Sequence, residues 1–374
     1  MIKVITIVGT RPEIIKMSRV INLFDQYTDH ILVHTGQNYD HELNQIFFNE
    51  LGIRKPDYFL DSAKKNAALT IASVIEKSDE IFEIEKPDAL MLYGDTNSSL
   101  AVIAAKRRKI PIFHMEAGNR CFDQRVPEEL NRKIVDHLSD VNLVLTEHAR
   151  RYLLSEGIRP ETIFKTGSHM PEVLDHFMPK IKKSTILNKL NLTNKKYFIV
   201  SAHREENVDN EINFNNLLDS LNAIYDKYKL PIIVSTHPRT QKKLNSIRKN
   251  KLNKKIQFIK PFGFLDYINL QLNSFCVISD SGTICEEASL LNLPAVTIRN
   301  AHERPEAVDS GVFIMSGLEK TNVIDAIEVA TKSLGKQINI EQVEDYNCKD
   351  VSAKILKIVL GYQPYIKRIV WHGE

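Results

Sequence analysis

Cysteine is scarce in this chain. The four in 374 residues, Cys121, Cys276, Cys285 and Cys348, are scattered without CxxC spacing. That excludes a zinc ribbon and a disulfide framework, and it fits a reducing compartment. Long apolar runs are missing too. No stretch of about eighteen apolar residues occurs, and MIKVITIV at the start is too short for a signal or membrane segment. A cytoplasmic protein without membrane insertion is expected. Charge imbalance is equally absent: the formal charge is +3 with 26% charged residues, which gives no case for nucleic-acid binding. The basic stretch KLNKK at 251–255 reads as a solvated loop. There is no internal repeat and no low-complexity tract.

What the chain has in abundance is short apolar runs alternating with helix-period segments. One series is IKVITIV, ILVHTG, ALMLYG, PIFHME and NLVLTE, starting at Ile2, Ile31, Ala89, Pro111 and Asn142. A second is YFIVSA, PIIVST, KIQFIK, FCVISDSG and PAVTIR, starting at Tyr197, Pro231, Lys255, Phe275 and Pro294. Continuous apolar strands of this length imply burial on both faces, hence parallel sheets covered by helices. The length suits two domains of similar size. The expected class is α/β, with two Rossmann-like doubly wound domains over 1–170 and 171–357. The polar, Lys-rich interval 170–196 is the expected junction. GSHM at 167–170 joins a strand end to Pro171 and reads as native sequence.

Ligands of such folds sit beyond the carboxyl ends of the strands, so the residues after each run carry the functional signal. VGTRPEIIK follows the first. Gly9 permits a tight turn, Pro12 suits a first helical position, and Arg11 beside a helix N-terminus makes an anion site. This is not the GxGxxG fingerprint, which argues against a nicotinamide enzyme. GDTNSS follows the third; Asp95 there either caps a helix or brings a carboxylate into a cleft. The fourth delivers His114 and Glu116, which share a strand face for as long as the strand persists. Pro127 then starts a helix with Glu128 and Glu129 in its first turn and Arg132 four residues after Glu128. Taken alone, that segment reads as a helix start with a surface ion pair.

The second half repeats the pattern. SAHREEN places His203, Arg204 and Glu205 beyond a strand, and STHPR does the same with His237 and Arg239. SDSGTICEEAS resembles a diphosphate cradle. Ser281 and Gly282 stand before a helix, and Glu286 and Glu287 within its first turn could accept from ribose hydroxyls. NAHERPEAVDSG adds Arg304 and Glu306 near another helix start.

Together VGTRPEIIK, GDTNS, HMEAGNR with PEELNRK, AHREE, SDSGTICEE and ERPEAV resemble the non-hydrolysing UDP-N-acetylglucosamine 2-epimerases, in order and spacing, from Val4 to about Gly311. The resemblance implies a glycosyltransferase-B-like fold in which two domains face a central cleft and a C-terminal helix, about 358–374, crosses back to the first. It also implies a homodimer acting on a UDP-N-acetylhexosamine with neither cofactor nor metal. Such enzymes eliminate UDP across C1–C2 to a 2-acetamidoglucal and add it back, with the proton returned to the other face of C2. Carried over by motif, Asp95, Glu116 and Glu128 form the acid/base group and His203 joins them from the second domain. Arg11, Ser281 and Gly282 hold the diphosphate and Glu287 the ribose, while Lys16, Arg132, Arg204, His237 and Arg304 match substrate-side positions. The base is not assigned among the carboxylates.

The chain departs from the commoner family text at GDTNSS and at HMEAGNRCFDQRVPEE, and HTGQNYDHE matches only in part. These forms look more like the subgroup acting on 6-deoxy sugars to make UDP-N-acetyl-L-fucosamine. The same fold also serves UDP-sugar glycosyltransferases, so a transferase is the rival reading.

Overall fold

The structure is a computed structural model. It describes all residues except 37–40, 237, 246–251, 301–303, 336–341 and 373–374; the side chains of 41–45, 205–206, 238–239, 242, 245 and 333–335 are also outside the description. The chain divides into two compact units, Met1–His176 with Asp345–Glu374, and Phe177–Glu344.

The first unit is built on a parallel sheet of seven strands: β1 Lys3–Val8, β2 Asp29–His34, β3 Tyr58–Phe59, β4 Ala89–Tyr93, β5 Ile112–Ala117, β6 Val141–Val144 and β7 Ile163–Lys165. Their order is β3-β2-β1-β4-β5-β6-β7. Every residue of β4 and β6 is buried, as strands covered by helices on both faces require. The second unit holds β8 Phe198–Ser201, β9 Ile232–Ser235, β10 Ile256–Ile259, β11 Cys276–Ser279, β12 Ala295–Thr297 and β13 Ile314–Met315, ordered β10-β9-β8-β11-β12-β13 and also parallel. Both are doubly wound sheets of the expected class. In each, the order reverses between two central strands, β1 and β4 in one, β8 and β11 in the other, which is where such sheets bind ligands.

All ten apolar runs are strands. The additions β3, β7 and β13 are edge strands of two or three residues, too short to leave a periodic signal. The final helix is Val351–Ile369, starting earlier than the expected 358. It packs against the helix Arg11–Tyr27 within the first unit, and Lys367 Nζ reaches Asp88 Oδ1 at 2.7 Å. At 167–170, Gly167 has φ +86, and a Cβ on it would lie 2.2 Å from Cys348 Sγ. GSHM is therefore fitted to its surroundings, with Ser168 Oγ accepting from Met170 N at 3.1 Å. In KLNKK, Lys251 lies outside the described residues and 252–255 turn into β10.

Candidate active site

At the switch point of the first sheet the turn after β1 is pressed against the one after β4. A Cβ on Gly9 would stand 2.0 Å from Ser98 Oγ and 2.2 Å from Thr35 Oγ1, so only glycine fits. Glu13 closes the turn. Its Oε2 accepts from Gly9 N at 2.5 Å and Thr10 N at 3.1 Å, and its Oε1 accepts from the Thr96 hydroxyl at 2.6 Å. Burial pushes the Glu13 carboxyl up to about 7, against the pull of these three donors; the charge of Asp95 adds to the rise. Sequence reading missed Glu13, although Thr-x-x-Glu before a helix is a capping signal. Arg11, at the head of that helix, lies over the Phe47 ring at 5.7 Å.

β5 brings a correction. His114 and Glu116 do not stay on one face, because the β5–β6 register shifts between Met115 and Ala117 and Glu116 has φ +64. His114 is buried as structure: its ring nitrogens meet Asp136 Oδ1 and Gly94 O, each at 2.8 Å. Glu116 instead turns to Lys16, whose Nζ lies 2.8 Å from Oε2, and to the Tyr93 hydroxyl, which donates to the same oxygen. Lys16 is 3% exposed, so an ammonium in a nearly dry place is set against this carboxylate.

Around the start of the helix Pro127–Leu138, Arg132 and Glu129 are buried partners in a network, which corrects the reading of a solvated ion pair. Arg132 is 3% exposed. Its Nε and Nη2 reach Asp95 Oδ2 at 2.8 and 2.7 Å, and its Nη1 reaches Glu129 Oε2 at 3.0 Å. Glu129, assigned no role from sequence, also accepts from Cys121 N at 3.0 Å and Phe122 N at 3.1 Å. Burial works to raise its carboxyl, but those N–H donors and Arg132 hold it below the usual range. Glu128, in the same first turn, is half-buried. Asn131 Nδ2 donates to Asp95 O at 2.9 Å. Arg120 is fully buried on Glu156 and Asp136, a tie that only tertiary structure reveals.

In the second unit Asp280, just after β11, is fully buried. It accepts from His203 N at 3.1 and 3.0 Å, Arg204 N at 3.0 Å and Asn207 Nδ2 at 3.1 Å, and the His203 Nδ1 lies 3.3 Å from Oδ1. Sequence reading assigned it no role, yet like Asp95 it is a carboxylate just past the end of a buried strand. His203 is 39% exposed, so the ring is fixed on one side and accessible on another. Ser281 and Gly282 form the turn into the helix Ile284–Leu291, with Ser281 Oγ 3.0 Å from Thr283 Oγ1. Glu287 accepts from Gln271 Nε2 at 2.6 Å. Glu286, fully buried, lies 3.8 Å from the Nη2 of buried Arg304. His237 lies outside the described residues, as do the side chains of Arg239 and Glu205.

Among the described residues no helix is long and apolar enough to cross a membrane, and no group of three or more His, Cys, Asp or Glu could hold a metal ion.

Residues 24–360 match the family model described as UDP-N-acetylglucosamine 2-epimerase. The UDP-N-acetylglucosamine 2-epimerase of Methanococcus maripaludis is 38% identical over 340 residues, covering 89% of this chain and 93% of that one. The solved structure of UDP-N-acetylglucosamine 2-epimerase from Rickettsia bellii is 60% identical, covers 100% of both chains and superposes with a TM-score of 0.94. That of the Methanocaldococcus jannaschii UDP-GlcNAc 2-epimerase in complex with UDP-GlcNAc and UDP is 34% identical, covers 96% of this chain and 99% of that one, and gives 0.90. With the motifs, both doubly wound sheets and these likenesses in agreement, the chain belongs to the UDP-N-acetylglucosamine 2-epimerase family.

Proposed function

We propose that this enzyme inverts C2 of a UDP-N-acetylhexosamine, UDP-GlcNAc to UDP-ManNAc in type, by eliminating and re-adding UDP. The C2 proton has no adjacent carbonyl to acidify it. A base therefore takes it as the C1–oxygen bond breaks; the C2–H electrons become the C1=C2 bond and UDP leaves with the C1–O pair. Re-addition forms the C1–oxygen bond again while an acid protonates the opposite face of C2. The reaction needs two protonic groups around C2 and cations for the departing diphosphate.

The observation carrying this reading is the pair of carboxylates with cationic partners in the first unit, Asp95 on Arg132 and Glu116 on Lys16. Such partners hold each carboxylate in a fixed place and orientation for proton transfer. Glu128 completes the acid/base group, with His203 held by Asp280 in the second unit. Arg11, Ser281 and Gly282 bind the diphosphate and Glu287 the ribose, with Arg204, His237 and Arg304 on the substrate side. The enzyme works in the cytoplasm, its product supplies surface polysaccharide, and the working form is a homodimer, which sedimentation tests.

A second reading, the same chemistry on a UDP-6-deoxy-L-hexosamine giving UDP-N-acetyl-L-fucosamine, is favoured by the loop after Arg120. Phe122 there is 68% exposed, with φ +56, and its ring meets Tyr152 edge-on at 5.2 Å. Incubation with each sugar nucleotide in D2O, followed by proton NMR, tests both readings. The expected result is a C2 epimer carrying deuterium at C2; an epimer formed without deuterium overturns the elimination, and turnover only with an added acceptor favours a transferase.

A further inference from the structure

We infer that Tyr93 is a positioning residue for the reaction: its hydroxyl holds the carboxylate of Glu116 in place for proton transfer at C2. This rests on the reading of Glu116 as an acid/base group.

Tyr93 ends β4 and pairs with Met115 of β5. In a regular pleat, aligned residues of parallel strands share a face and the next residue points to the other side. Glu116 would then face away from Tyr93. The register shift after Met115 and the left-handed backbone at Glu116 undo that alternation and bring Oε2 onto the Tyr93 hydroxyl. A non-glycine residue in that conformation is uncommon and persists only where its surroundings hold it.

The phenol is well placed to hold it. Tyr93 is 3% exposed, its ring meets His169 edge-on at 5.7 Å, and the Lys16 ammonium lies 5.7 Å from the ring centroid. One turn serves two carboxylates: Tyr93 before Gly94 grips Glu116, and Asp95 after it is gripped by Arg132. That turn is fixed to β5 by Gly94 N donating to Met115 O at 2.9 Å and by His114 on Gly94 O. Among the described contacts, titratable groups that meet Glu116 include Lys16 from the helix Arg11–Tyr27 and Tyr93 from β4, with His169 against the Tyr93 ring.

The test is Tyr93→Phe, which keeps the ring and removes only the donor. A donor to a carboxylate favours its charged form, so losing it moves the acid limb of kcat/KM upward by about half to one pH unit. We expect kcat to fall roughly tenfold or more, as loss of a charge-assisted hydrogen bond allows. KM should stay within about twofold and Tm within a few degrees, since packing is kept. In a Glu116→Gln background the same change should cost little, because no carboxylate remains to be held. A Tyr93→Phe enzyme with an unmoved pH profile, or an equal loss in both backgrounds, overturns the inference. Failure of the underlying reading looks different: wild type that leaves C2 unchanged, or Glu116→Gln as fast as wild type.

Discussion

Arg132 meets Asp95 through two guanidinium nitrogens, Nε at 2.8 Å and Nη2 at 2.7 Å, and both end on one carboxylate oxygen, Oδ2. The guanidinium thus grips one carboxylate oxygen and does not enclose both. Asp95→Asn should retain the shape and lose the carboxylate, lowering turnover at least ~100-fold while UDP still binds by calorimetry. Turnover near the wild-type rate would mean the chemistry lies elsewhere. Arg132→Lys, which cannot reproduce the planar contact, should also be slow, with UDP affinity kept.

The third nitrogen of Arg132 makes Glu129 the next test. Glu129 joins the departing loop, through Cys121 N and Phe122 N, to the cation that holds Asp95. Glu129→Gln keeps an acceptor but removes the charge, and should cost roughly 1.5–3 kcal/mol of stability, the usual weight of hydrogen bonds to charged groups. Urea unfolding measures it. A loss within experimental error would show that the loop is held by other contacts.

How far this site was legible beforehand depends on whether a residue's neighbours in sequence are also its neighbours in space. The strands announced themselves because β4, β6 and β11 are buried along their length, and Pro12 and Pro127 marked helix starts. The helix spacing of Glu128 and Arg132 suggested a local surface pair. Arg132 turned out to reach back to Asp95 on another loop, a contact no local spacing encodes. Glu116 was placed by strand alternation on the face of His114, and a left-handed residue broke the alternation. Nothing in HMEAG by itself announces that break. Asp280 could have been found by the rule that drew attention to Asp95, an Asp just after a buried strand.

Gly9 offers a steric prediction. Its missing Cβ leaves room for the Thr35 and Ser98 hydroxyls, which are 2.8 Å apart. Gly9→Ala forces those groups or the turn to move, and overpacking of this kind costs about 1–3 kcal/mol. Because the turn carries Arg11, activity should fall more than stability does. Circular dichroism melting and turnover on the same preparation separate the two effects. Wild-type values in both would show that the turn relaxes freely.

The last prediction concerns pH and Glu13. Burial raises its carboxyl from 4.5 to about 7 in the folded chain. Between those two values the folded state binds more protons than the unfolded state. Stability from this group is therefore lost as pH rises through that window, and the loss is complete above about pH 7. At 1.36 kcal/mol per unit the full effect approaches ~3 kcal/mol. Glu13→Gln stays neutral. Its carbonyl can accept from Gly9 N and Thr10 N, and its amide can donate to the Thr96 hydroxyl. The difference in unfolding free energy between variant and wild type should thus shift in favour of the variant between pH 4.5 and pH 8. Denaturant melts of both proteins at those two values measure the shift, and a difference that does not change with pH would place the Glu13 proton elsewhere.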